Sequence, residues 1–293
     1  MNRRLVGILC GIGAASIWGG MYVVSKVVLE TIPPFSLVSL RLILGAFTLA
    51  MVLWMRGFPK ISRRQLFQVL GVGLVGYGIS LCLQFLGTKL STAANGSLVT
   101  SATPAFVLIF AWMLLQEKIT LRRLIALILA TLGVVAVIDP RSAQLNPNLF
   151  LGNLALIGAA VTWALYSVLV RKVTQNLEVI PFSLFAFLGG LPVSVPVSIW
   201  ELRTTGVGEI SLGIVGGVLF LGIISTALAM VLWNNAFALV DANLASLTFF
   251  AQPVVGTLLG WLFLGERITA FFLLGGLLIG LGLVISSRKE QGT

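Results

Sequence analysis

The stretch SLVTSATPAFVLIFAWMLLQEKIT at residues 97–120 returns as SLTFFAQPVVGTLLGWLFLGERIT at residues 246–269. Ser97–Leu98, Thr103–Pro104 and Glu117–Lys118–Ile119–Thr120 meet their counterparts Ser246–Leu247, Gln252–Pro253 and Glu266–Arg267–Ile268–Thr269 after 149 residues each time. Upstream, Trp18 with Lys26 returns as Trp163 with Arg171 after 145 residues, and Pro34–Phe35–Ser36–Leu37 as Pro181–Phe182–Ser183–Leu184 after 147. Solenoid units repeat every 20–50 residues or so, and this period is far longer. In an apolar chain it reads as the duplicated half of a membrane transporter.

Composition supports that class. Hydrophobic residues make up 58% of the 293 and charged residues 10%, against about 25% charged in a soluble domain. The net charge of +10 sits in short loops between apolar runs. The bilayer surface accounts for it better than nucleic acid, and no nucleic-acid partner is expected. Cys10 and Cys82 fall inside apolar segments and read as inert thiols, not a disulfide framework. The chain has no histidine, the commonest metal ligand and general base. The apolar run from Leu5 to Leu29 exceeds the 7–15 residues or so of a signal-peptide core, so it reads as an uncleaved first span.

A transmembrane helix needs about 20 apolar residues. Ten such runs lie near 5–29, 35–55, 65–87, 93–115, 121–138, 150–170, 179–200, 210–233, 242–264 and 270–287. Pro33–Pro34, Arg56–Gly57–Phe58–Pro59–Lys60, Asp139–Pro140–Arg141 and Arg203–Thr204–Thr205–Gly206 punctuate them. With the N-terminus cytoplasmic, thirteen Lys and Arg fall inside and four outside, which sets both termini in the cytoplasm. Five spans per half is an odd number, so the halves run in opposite directions. The expected fold is an all-α membrane protein: two inverted five-helix repeats, 1–141 and 142–293, around a central cavity.

Catalytic signatures are missing. The chain has no Gly-x-Ser-x-Gly elbow, no metal-ligand cluster and no phosphate-binding Gly-Lys-Ser/Thr loop. It is not expected to be an enzyme or to need a cofactor or metal. All nine acidic residues lie near span ends. Proton relays are usually built on intramembrane carboxylates, so facilitated movement down a substrate gradient is favoured over proton antiport.

In order, Trp18–Gly19, Arg41, Ala94–Asn95 through Pro104, Glu117–Lys118–Ile119–Thr120 and Gly133 form a pattern. A second copy supplies Trp163, Pro253, Glu266–Arg267–Ile268–Thr269 and Gly282. The chain thereby resembles the drug/metabolite transporter superfamily, specifically its EamA-type ten-span exporters, over nearly its whole length. Within that family it looks most like the YddG-type exporters of aromatic amino acids. Arg41 has no basic counterpart around Phe185–Phe187, so the two halves are not identical there.

The resemblance implies a central cavity lined by spans 1, 3, 4, 6, 8 and 9, opening alternately to each side. Met21, Tyr22, Tyr77, Ser80, Gln84, Asn95, Trp163, Tyr166, Asn234, Phe249 and Gln252 belong to those spans or their ends. Polar groups in hydrocarbon turn toward protein or a water-filled cavity. Aromatic faces can hold ring-bearing solutes, and amides can orient a zwitterion. Each has a packing alternative: Ser80 and Gln84 share a helix face that serves either as cavity wall or as helix–helix glue. Tyr77, between Gly76 and Gly78, could fill a close helix contact. Pro104 and Pro253 remove helix hydrogen bonds and read as hinges or as static kinks. Trp54, Trp200, Trp233 and Trp261 lie near span ends, as interface anchors do. Lys26 and Arg41 could snorkel to the outer interface, and Arg41 could instead be an ion-pair partner or attract a carboxylate. Glu117–Lys118 and Glu266–Arg267 read as cap-and-turn signals. Gly276 and Gly280 form a small-residue face for packing within the chain, or for a homodimer through spans 5 and 10.

The expected function is export of small metabolites, amino acids including aromatic ones, across the bacterial inner membrane. The lipid bilayer and the solute are its expected partners. A drug or nucleotide-sugar carrier of the same fold, and a non-transporting membrane scaffold, are the alternatives. Selectivity is expected where the copies differ: Tyr22 against Ser167, Met21 against Tyr166, and Asn95 against Leu244.

Overall fold

The computed structural model describes residues 2–90, 100, 103–138, 147–174, 177–264 and 270–287. Among them the regular structure is helical throughout, in ten rods. We number them α1 (Arg3–Thr31), α2 (Pro34–Arg56), α3 (Arg63–Leu90), α4 (Thr103–Leu115), α5 (Leu121–Ile138), α6 (Pro147–Val173), α7 (Val179–Thr204), α8 (Leu212–Leu239), α9 (242–264) and α10 (Ala270–Ser287). Helices satisfy every backbone group internally, which hydrocarbon demands. Among the described residues, six helical stretches are long and apolar enough to cross a membrane: α1, α2, α3, Leu154–Val173 within α6, α7 and α8.

The duplication is visible in the punctuation. Ser62 and Ser211, 149 residues apart, cap the starts of α3 and α8. Ser62 Oγ accepts from Gln65 N at 3.3 Å while Gln65 Oε1 accepts from Ser62 N at 3.1 Å, and Ser211 Oγ accepts from Ile214 N at 3.3 Å. Such caps satisfy amides that the first helical turn leaves orphaned. Gly57 and Gly206, also 149 apart, follow the ends of α2 and α7 with φ of 91° and 73°. A Cβ would be strained at both turns.

Two interruptions recur as well. α3 winds as a π-helix over Leu74–Ser80, and α8 over Phe220–Leu228. Nothing in the hydrophobic period announces them. π segments redirect side chains and free carbonyls, and they concentrate at functional sites.

The packing pattern is unchanged when the halves are exchanged. α1 of the first half packs on α8 and α9 of the second, and α6 of the second on α3 and α4 of the first. α2 packs on α7, and α5 on α10. The deepest core therefore lies between the halves. α3 and α7 approach so closely that a Cβ on Gly73 would stand 2.0 Å from Ala186 O, and one on Gly189 would stand 2.2 Å from Leu70 O. Gly76 leaves room for the Tyr166 ring, and Gly78 faces Gly190. Tyr77 shares this close contact with its glycine neighbours: a Cβ on Gly190 would stand 2.8 Å from Tyr77 Cβ, and the Tyr77 ring meets Phe187 at 4.8 Å.

Two expectations need correction. Trp233 is not an interface anchor: it is fully buried, and its Nε1 donates to Ser167 Oγ at 3.0 Å. The misplacement has a physical cause, because Asn234–Asn235 resembles the polar end of a span while α8 runs on to Leu239. Trp54 and Trp200 are exposed at 75% and 63%, and the Trp261 side chain lies outside the described residues. Arg41 does not snorkel: its exposure is 0%.

Candidate functional site

A cavity opens between the halves, walled by Trp18, Met21 and Arg41 from α1 and α2, and by Ser80, Leu81 and Gln84 from α3. Thr100 and Thr103 close it on the α4 side. The second half supplies Ala159, Ala160 and Trp163 from α6, Met230 from α8, and Phe249 and Gln252 from α9. Its free volume for water centres is about 20 Å³, little more than one water requires. The conformation is contracted, and a solute of amino-acid size enters only if the halves part.

A packed aromatic layer runs from the cavity wall into the core. Trp18 meets Trp163 edge-on at 5.6 Å and Trp233 at 5.3 Å, Trp163 stacks on Tyr166 at 4.8 Å, and Phe249 meets Trp233 at 5.3 Å. A polar chain threads this layer. The Tyr77 and Tyr166 hydroxyls are bonded to each other. Tyr166 donates to Asn234 Oδ1 at 2.8 Å, and Asn234 Nδ2 donates to Ser183 Oγ at 2.9 Å. Buried polar groups need such partners, and these are met inside the protein.

Of the residues named from sequence, Met21, Ser80, Gln84, Trp163, Phe249 and Gln252 stand on the cavity wall. Ser80 Oγ donates to Ala159 O at 2.8 Å, so this wall residue is also helix–helix glue. Tyr22 stands just behind the wall: its hydroxyl accepts from Gln84 Nε2 at 3.0 Å and shares a hydrogen bond with Thr100 Oγ1 at 3.1 Å. Tyr77, Tyr166 and Asn234 belong to the packed layer. Asn95, Glu266 and Arg267 lie outside the described residues. Pro104 and Pro253 are buried. Pro253 follows the 3₁₀ turn Thr248–Phe250 directly after Ala251–Gln252, where its missing N–H leaves the α-helical ladder open.

Arg41 is the group whose position sequence left undecided. The π segment of α8 holds it: Arg41 Nε donates to Thr226 Oγ1 at 3.0 Å and Leu221 O at 3.3 Å, and Nη2 donates to Ser225 Oγ at 3.3 Å. Its guanidinium carbon lies 4.7 Å from the Phe85 ring centroid, a cation–π contact. All these partners are neutral, and Arg41 Nη1 has none among the described residues. Three other wall residues also have a buried polar atom without a partner among the described residues: Trp163 Nε1, Gln252 Nε2 and Thr103 Oγ1. The Gln252 amide approaches the Tyr22 hydroxyl without completing a hydrogen bond through Nε2. Of the wall groups, Thr103 is named from sequence only as part of the repeat, and Arg41 as an ion-pair partner or a carboxylate attractor. The available signal was the lone arginine in the apolar run Ser39–Leu40–Arg41–Leu42–Ile43.

A second cluster joins the halves at the end of the bundle where α4, α6 and α8 finish. Glu117 accepts from Ala242 N at 2.9 Å, Asn243 N at 3.3 Å and Asn243 Nδ2 at 2.9 Å. Its turn position, after Gln116 with φ of 55°, agrees with the sequence reading. The carboxylate, however, caps the start of α9 rather than its own neighbour. Arg171 Nε lies 3.4 Å from Glu117 Oε1, and Arg123 Nη2 lies 3.0 Å from Asp241 Oδ2.

Comparison with known proteins agrees with the fold. The profile described as the EamA-like transporter family matches twice, over residues 5–138 and 150–288. The uncharacterized transporter YetK of Bacillus subtilis is 26% identical over 295 aligned residues, covering 99% of this chain and 89% of that one. An uncharacterized transporter of Archaeoglobus fulgidus is 29% identical over 274 residues, covering 93% and 95%. A solved crystal structure superposes with a TM-score of 0.79 at 21% identity over 96% of each chain, a likeness of fold alone. With the profile matched across both halves, the chain belongs to the EamA-like transporter family of integral membrane transporters.

Proposed function

We propose that the protein exports small metabolites, amino acids with aromatic side chains among them, across the bacterial inner (plasma) membrane by alternating access. Ten spans cross the bilayer in this reading, and both termini are cytoplasmic. The observation that carries it is the contracted cavity between two exchange-related halves, walled by aromatic rings and a few polar groups. Such walls suit a ring-bearing solute oriented by a small number of hydrogen bonds. Among the described wall residues none is acidic, so flux runs down the substrate gradient without an imposed proton gradient. A nucleotide-sugar carrier needs several cations for a diphosphate. The wall offers Arg41 alone, while Lys26 is exposed elsewhere. α5 and α10 already bury their mutual faces within one chain, so a homodimer through them would use their outer faces, where Gly280 is open.

The test is flux of labelled phenylalanine and tryptophan in liposomes holding the purified protein. Facilitated flux is expected with no pH gradient, reduced about fivefold by Trp163→Ala, the size of one lost aromatic contact of about 1 kcal/mol. Folded protein that moves no amino acid overturns the reading in favour of a scaffold.

A further inference from the structure

Arg41 is the eighth residue of α2, roughly 10 Å along the helix from its start at about 1.5 Å per residue. No carboxylate lies within ion-pair distance of it among the described residues; the ion pairs there belong to Arg123 and Arg171. Residues 91–99 and 101–102, beside the cavity in sequence, contain no acidic residue either. Glu201, buried near the end of α7, is committed to Ser36, accepting from its N at 2.8 Å and its Oγ at 2.9 Å. Guanidinium stays protonated at neutral pH. The cavity therefore holds one positive charge that no carboxylate among the described residues neutralises. An isolated buried charge is strongly disfavoured unless something completes it.

The unmet groups specify what completes it. Arg41 Nη1, Trp163 Nε1 and Gln252 Nε2 can only donate, and Thr103 Oγ1 can donate. A water would satisfy some of these atoms but brings no charge. A planar carboxylate matches the guanidinium fork and supplies one negative charge. A phosphate dianion would leave a charge uncompensated, and chloride would leave the aromatic walls unused.

We propose that Arg41 is the carboxylate anchor of this cavity, and that the carried solute must bear a carboxylate while an α-ammonium is dispensable. This rests on the transport reading for what happens after binding, but binding is measurable without it. The π segment of α8 presets the fork through Leu221, Ser225 and Thr226. Trp18 Nε1 donates to Ser225 O at 3.0 Å, tying the aromatic wall to the same segment. Amino acids qualify through their carboxylate, and so do aryl hydroxy acids that lack the ammonium.

The experiment measures thermal stabilisation of the purified full chain in detergent by millimolar sodium benzoate, benzamide and sodium chloride. Benzoate is expected to raise the melting temperature by several degrees and the other two by less than one. In Arg41→Met the benzoate shift is expected to vanish, and Arg41→Lys, which keeps charge but loses the fork, to retain part of it. Loss in Arg41→Met separates the cavity from the surface arginines. If Arg41→Met fails to fold, the benzoate–benzamide contrast and Arg41→Lys still decide. In liposomes, 3-phenyllactate is expected to inhibit phenylalanine flux, and phenethylamine to inhibit it at least tenfold less. Equal shifts by benzoate and benzamide, an unchanged benzoate shift in Arg41→Met, or equal inhibition by phenethylamine overturns the anchor. An Arg41-dependent benzoate shift in protein that moves no amino acid sustains the anchor and overturns the transport reading instead.

Discussion

The two halves meet around arginines in two places, and the surroundings differ. At the bundle end, Arg123 and Arg171 face the carboxylates Glu117 and Asp241. Arg171 Nη1 also donates to Phe237 O at 3.0 Å and to Val240 O, closing the last turn of α8. In the cavity, Arg41 faces neutral oxygens and a phenyl ring. Charges with protein partners hold the two halves together. A charge without one costs stability in the empty protein and becomes useful when a ligand arrives. Position alone does not separate structural from binding arginines in this chain; completeness of pairing does.

The largest expected effect breaks the paired region. Glu117→Ala removes the acceptor of two backbone amides at the start of α9 and leaves Arg123 and Arg171 with the half-exposed Asp241 as their carboxylate partner. We expect a loss of about 3 kcal/mol, the scale for breaking a partly buried pair that also caps a helix. Melting in detergent would check it, and a change below about 1 kcal/mol would mean the cluster is not what joins the halves. Arg171→Lys comes next, at about 1–2 kcal/mol, because lysine cannot reach two carbonyls and two carboxylates from one planar fork.

The contrasting variant is Arg41→Met. Leu221 O keeps the hydroxyl of Thr226, which donates to it at 2.7 Å, and the Ser225 hydroxyl can turn elsewhere. Removing an uncompensated charge offsets the lost hydrogen bonds. The ligand-free stability is therefore expected to stay within about 1 kcal/mol of the parent, or to rise. A loss on the Glu117→Ala scale would show that Arg41 is a structural arginine and erase the contrast.

Much of this architecture was legible in the sequence because it rests on repeated chemistry. Proline, glycine and Glu-Lys-Ile-Thr punctuation recurs at nearly constant offsets, and apolar runs of span length alternate with basic loops. What was not legible depends on which helix lies opposite. Glu117 looks like a turn residue, and only the fold brings it to Ala242 and Asn243. Asn234 looks like the end of a span, and only Tyr166 and Ser183 on the neighbouring helices α6 and α7 make it a core residue. The π segments follow no hydrophobic period. Arg41 was visible as an oddity, but its missing counter-charge is a three-dimensional fact.

The smallest effect sharpens the comparison from the paired side. The Asp241 side chain is 49% exposed and sits 3.0 Å from Arg123 and 3.7 Å from Arg171. Water and salt screen it, as they do not screen Arg41. Asp241→Asn should cost about 0.5 kcal/mol at low salt, the range of an exposed ion pair. Raising sodium chloride from about 0.1 M to 1 M shortens the screening length from about 10 Å to 3 Å, and the difference from the parent should then fade. Glu117→Ala should keep most of its cost in the same salt, since its backbone hydrogen bonds do not depend on screening. If both penalties vanished together, the cluster would be a surface charge effect. The ties between the halves would then be their helix packing and uncharged or buried hydrogen bonds such as Ser36 to Glu201 and Ser80 to Ala159.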